Sequence, residues 1–106
     1  MGGLDENGIG DRVVTMVASE FGRRPRENIN RGTDHGYASI ALVAGDPIAG
    51  GVYGTYPSLD PAALVFDGNL AVTTDFRSVY ATLLERHLGL PSAPYLGGTF
   101  PLLGFL

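Results

Sequence analysis

Between Ser19 and Gly36 the chain carries four arginines (Arg23, Arg24, Arg26, Arg31), three carboxylates (Glu20, Glu27, Asp34) and His35, one of only two histidines. These residue types hold metals, move protons and bind anions. Imidazole together with carboxylate suits a divalent metal, and grouped guanidiniums grip phosphate or sulfate oxygens bidentately. Asp34 and His35 are adjacent, and Gly32 and Gly36 beside them free the backbone for both to reach one site. Glu20 directly follows an apolar run, where a carboxylate would serve as metal ligand or general base.

Each residue also has a plainer role. Glu20 would pair with Arg23 or Arg24. Asp34 would bond the N–H groups of a turn, leaving His35 partly solvated. The arginines would form a solvated loop balanced by Glu20, Glu27 and Asp34, since surface ion pairs are common and weak. Ser19 is placed as a nucleophile would be, but no base or oxyanion loop is visible near it. His87 reads as a packed or capping residue, and Tyr53, Tyr56 and Tyr80 as packing residues. No Gly-x-Gly-x-x-Gly, Walker or Gly-x-Ser-x-Gly pattern occurs.

The elements that must position this segment flank it. Arg12 to Ala18 is a short, nearly continuous β-prone run, and Ala38 to Ala44 is another, closed by Gly45-Asp46-Pro47. Continuous apolar character predicts strands buried on both faces, as in a parallel sheet. In such sheets sites form beyond the carboxyl ends of strands, which is where the polar segment begins. Residues 48–72, with Gly50-Gly51, Pro57, Pro61 and Gly68, read as a long excursion holding at most a short strand near Val52–Tyr53. A helix is predicted from about Asp75 to Leu88. Phe76, Val79, Tyr80, Leu83, Leu84, His87 and Leu88 fall on one face, Thr74 is placed as N-cap, Asp75 faces the helix dipole, and Gly89 with Pro91 stops it. Residues 1–11 read as a loop or frayed start, and the last 16 residues as a tail laid over a surface.

The chain has 106 residues, room for one small domain. Glycine and proline number 16 and 7, so much of the backbone is turn and loop. All seven basic residues are arginine; four fall between Glu20 and His35 against three of the eleven acids, a local charge of +1 in a chain of −4. That balance disfavours nucleic acid as a partner. There is no cysteine, which excludes disulfides and thiolate metal sites. No run approaches the ~20 apolar residues of a membrane span, and the start of the chain has neither the basic nor the apolar part of a signal peptide.

Taken jointly, Ser-Glu-Phe-Gly-Arg-Arg at 19–24, Glu27-Asn28, Gly-Thr-Asp-His-Gly at 32–36 and Thr-Asp-Phe-Arg-Ser-Val-Tyr at 74–80 resemble the C-terminal part of the bacterial family catalogued as domain of unknown function 1501. That family resembles the alkaline phosphatase, sulfatase and phosphoglycerate mutase superfamily. The resemblance implies an α/β fold, a partial three-layer α/β/α sandwich with a mostly parallel sheet, with residues 1–106 forming one partial domain. It implies a divalent metal (Zn, Mn, Ca or Mg) held by His35, with Asp34 and Glu20 as ligands or close neighbours. It also implies Arg23 and Arg24 neutralising a small anionic substrate, a phosphate or sulfate ester. Two departures weigh against a complete two-metal centre. Phe21 stands where the superfamily has a histidine ligand, and Glu20 where it has an aspartate. The superfamily's nucleophile and first ligands lie upstream of the matching motifs. The expected partner is therefore the missing N-terminal portion of the same domain, and the chain alone is expected to be inactive and poorly soluble. The family also implies export by the twin-arginine route to the periplasm or cell surface. The rival reading is a non-enzymatic exported binding or assembly protein.

Overall fold

A computed structural model describes residues 8–106. Its strands are β1 (Thr15–Ala18), β2 (Gly22–Glu27), β3 (Thr33–Gly36) and β4 (Ala41–Ala44); its helices are α1 (Phe76–Thr82) and α2 (Ala93–Leu96). Single 3-10 turns occupy Gly10–Arg12 and Pro61–Ala63. β1 pairs with β4 in one two-stranded sheet, and β2 with β3 in another.

This overturns the expected three-layer sandwich with a mostly parallel sheet. The two apolar runs do form strands, but β1 and β4 are largely exposed. A parallel pair needs a long crossover between its strands, usually a helix. The segment that would have to supply it contains Gly22, Pro25 and Gly32 and doubles back as the antiparallel hairpin β2–β3. No βαβ unit results, and no helical layer covers the strands among the described residues. Residues 48–72 form the expected long excursion, with no strand at Val52–Tyr53.

The chain divides into two units. One comprises residues up to Met16, Val43–Tyr53 and Thr74–Leu106; the other comprises Val17–Leu42 and Gly54–Thr73. In the first, α1 is capped by Asp75, not Thr74: the Asp75 carboxylate accepts the Arg77 N–H at 2.9 Å. The Arg77 guanidinium folds back onto the same carboxylate at 2.6 and 3.0 Å and lies 4.3 Å over the Phe100 ring. These bonds hold the Asp75 carboxyl down at about 2, the Arg77 side-chain bond being the largest cause, and push the Arg77 guanidinium up.

The helix continues as a π turn over Leu83–His87 and ends before Gly89, at φ 66°. The buried side of α1 is Ser78, Ala81 and Thr82. Thr82 Oγ1 donates to Ser78 O at 2.7 Å and accepts the Leu103 N–H at 2.8 Å, which pins the C-terminal tail to the helix. Phe105, 4% exposed, meets the edge of Tyr53, and its carbonyl accepts the Ala49 N–H. Of the apolar stripe expected to be the core side, Val79, Leu83, Leu84 and His87 are half-buried, while Phe76 (64%) and Leu88 (59%) are open. His87 hydrogen-bonds the Arg12 carbonyl at 2.9 Å, in keeping with a packing role.

Candidate functional site

The hairpin β2–β3 lies wholly in the second unit and carries most of the candidate residues. Its register pairs Gly22 with Gly36, Arg23 with His35 and Glu27 with Thr33, with a bulge between Arg23 and Glu27. The two glycines are required by close approach. A Cβ on Gly22 would lie 1.5 Å from the Ala38 carbonyl oxygen, and one on Gly36 would lie 2.8 Å from the Arg23 backbone. At the other end Asn28 organises the turn. Its Oδ1 accepts the N–H groups of Asn30 and Gly32 at 2.9 and 3.0 Å, and its backbone N–H bonds Gly32 O at 2.8 Å. Its Nδ2 donates to Asp34 Oδ1 at 3.2 Å, so the residue that closes the turn also fixes the carboxylate. This is the turn role open to Asp34 from sequence, except that the partner is a side-chain amide.

Strand alternation sends Asp34 and His35 to opposite faces. Asp34 lines a cavity of about 370 Å³ with Arg24, Arg26, Glu27, Asn28, Asp67 and Gly68. On the other face the His35 ring stacks on Phe21, with centroids 3.6 Å apart and planes 19° apart. Phe21 thus holds the imidazole by its face. Neither imidazole nitrogen is hydrogen-bonded among the described residues. Glu20 is exposed and makes no ion pair there, because both arginines offered to it have other partners.

Arg23 Nη1 donates to Thr33 O at 2.7 Å, and its guanidinium lies 5.3 Å from the Phe21 ring. Arg24 Nε donates to His35 O at 3.2 Å, and its Nη1 donates to Asp67 O at 3.1 Å and stands 3.6 Å from Asp67 Oδ2. Arg24 is therefore fixed in place, whereas Arg26 makes no ion pair among the described residues. The Ser19 hydroxyl bonds Phe21 O and Ser39 Oγ, with no titratable partner.

Glu20, Asp34 and His35 do not assemble into a three-donor group, and no group of three or more His, Cys, Asp or Glu among the described residues could hold an ion.

Asp67 and its turn are the part of the site that sequence reasoning missed. Phe66, Asp67 and Gly68 have φ of 47°, 68° and 91°, and Val65 and Asn69 exchange both backbone hydrogen bonds at 2.8 Å. Left-handed backbone costs about 1–2 kcal/mol for a residue with a side chain, so two in a row must be held. Asn69 holds them: 2% exposed, it accepts Tyr37 N–H on Oδ1 at 3.2 Å and donates from Nδ2 to Phe66 O at 2.6 Å. The Asp67-Gly68 pair was the available turn signal, but nothing local links it to Arg24, 43 residues away.

No helix among the described residues is long and apolar enough to cross a membrane. No curated protein and no solved structure matches the chain. The family model described as "Protein of unknown function (DUF1501)" matches residues 1–96, so the chain belongs to the DUF1501 family.

Proposed function

We propose that this chain supplies an anion-holding element to a hydrolase of phosphate or sulfate esters and does not catalyse by itself. The observation that supports this is Arg24. Two carbonyls and Asp67 fix its guanidinium at the wall of a polar cavity, with Arg26 on the same wall. A fixed guanidinium neutralises an ester's non-bridging oxygens without reorganising as charge develops. Arg23, on the same strand as Arg24 and tied to Thr33 O of β3, has a lesser share. Any metal at His35, Asp34 or Glu20 would need further ligands from outside the described residues, and those would belong to the rest of the same enzyme. Export by the twin-arginine route is part of this proposal.

A second reading, a non-enzymatic binding or assembly protein, is favoured by one observation. The large side chains of α1, Phe76 at 64% and Tyr80 at 39%, face outward while its small polar residues are buried. Titration with inorganic sulfate, followed by amide NMR, separates the two. The hydrolase reading expects binding at Arg24 and Arg26, abolished in Arg24→Gln/Arg26→Gln, and no turnover of aryl sulfate or phosphate by the chain with or without Zn or Mn. Sulfate binding unchanged in the double variant would refute it.

A further inference from the structure

Arg24 is anchored at two points on different parts of its unit. Its Nε donates to His35 O on β3, and its Nη1 donates to Asp67 O in the turn Val65–Asn69. The first anchor belongs to the hairpin. The second holds the guanidinium in one place only if the turn keeps a fixed position against that hairpin. One side chain sets this position. Asn69, 2% exposed, does not line the cavity and commits both ends of its amide elsewhere. Its Oδ1 accepts the N–H of Tyr37, the residue directly after β3, at 3.2 Å, and its Nδ2 donates to Phe66 O, inside the turn, at 2.6 Å. The amide is a strut between the strand that carries one anchor of Arg24 and the turn that carries the other.

The Asp67 carboxylate is the nearer partner of Arg24, yet it does less. It stands 3.6 Å from Nη1, beyond hydrogen-bond reach, and its side chain is 97% exposed. Exposed ion pairs of this kind are worth little, and the negative charge opposes any anion that Arg24 is to hold. The two backbone bonds occupy two of the guanidinium's N–H donors and leave the others to meet an ester's oxygens. We propose that Asn69 is the positioning residue of this anion site. It acts through the turn and the Asp67 carbonyl to set the Arg24 guanidinium, and the Asp67 carboxylate is dispensable. This rests on the anion-holding reading and extends it to a residue that does not touch the ligand. The physical reason is preorganisation: a guanidinium held in place before the anion arrives loses little freedom on binding, and a misplaced one gives that advantage up.

The test reads Arg24 directly, through the Nη proton signals of the nitrogen-labelled chain. These are resolved when the guanidinium is held and merge when it rotates freely. Anion binding is read by titration with inorganic sulfate. Asn69→Asp keeps an acceptor for Tyr37 but loses the donor to Phe66 O, and Asn69→Ala loses both, so a loss common to the two is not an effect of added charge. Both are expected to merge the Arg24 Nη signals and to weaken sulfate about tenfold. The amides of Asn30 and Gly32, bonded to Asn28 at the far end of the hairpin, should keep their shifts. Asp67→Asn, which tolerates the left-handed backbone, should leave the Arg24 signals resolved and bind sulfate at least as tightly as the parent. Resolved Arg24 signals in both Asn69 variants would overturn the proposal, as would their merging in Asp67→Asn. Collapse of the Asn30 and Gly32 amides in both Asn69 variants would make Asn69 a folding residue only and overturn it equally. A parent chain that binds no sulfate would refute the anion-holding reading, and the Arg24 signals would still decide whether Asn69 sets the guanidinium.

Discussion

In the unit that holds α1, the buried residues include Ser78, Ala81, Thr82, Ser92 and Phe105. In the unit that holds β2–β3, they are Gly22, Gly36 and Asn69. The first is fastened by side chains: the Thr82 hydroxyl bridges helix and tail, and Ser92 Oγ donates to Glu85 Oε2. The second buries no apolar side chain among its described residues. It is fastened by backbone approach at the paired glycines and by the amides of Asn28 and Asn69. With so little apolar burial in either unit, stability rests on a few specific contacts, and the vulnerable contacts differ in kind.

The largest effect should come from Gly22→Val. The new Cβ would meet the Ala38 carbonyl at 1.5 Å, a backbone atom that cannot rotate away. A loss above about 3 kcal/mol is expected, seen as collapse of amide dispersion from Arg23 to His35 while the signals of Ser78 to Thr82 persist. Loss of both sets together would break the comparison. Next is Thr82→Val, which keeps shape but leaves the Leu103 N–H without its acceptor. It should cost about 1–3 kcal/mol, read from urea unfolding and faster exchange at Leu103, with the hairpin unaffected. Smallest is acidification. The Asp75 carboxyl is held at about 2 against an ordinary 3.8. Its contribution is therefore complete above the ordinary value and is lost as pH falls from there through about 2. The Arg77 amide shift and far-UV helicity should follow that window, weakly, because the pair is solvent-exposed. A helix signal flat down to pH 2 would remove Asp75 from the account.

Much of this was legible locally. The apolar runs at Arg12 to Ala18 and Ala38 to Ala44 contain β1 and β4, and the helix was marked by its period, by Asp75 and by Gly89. What local reading could not supply was the choice of neighbour. The strands pair as a short two-stranded sheet because the polar segment between them closes as a hairpin. That segment lacks the apolar alternation that would announce strands. The predicted helix face is only half-covered, by Val79, Leu83, Leu84 and His87, because the tail packs on the small side, where Ser78, Ala81 and Thr82 allow close approach. In the site, Arg24 and Asp34 share a cavity and came from one segment. Asp67, which fixes Arg24, is distant in sequence and could be found only in space.

The π turn at Leu83–His87 takes up one more residue than an α turn. Each residue is worth about 100° of rotation, so the side chains beyond it are out of phase with those of Phe76–Thr82. His87, the last residue of the π turn, reaches the Arg12 carbonyl, while Leu88, next in line, is exposed. Removing one residue there would restore an unbroken α-helix and re-aim everything after it, whereas the same deletion within β2 or β3 would flip every side chain of the hairpin to the opposite face.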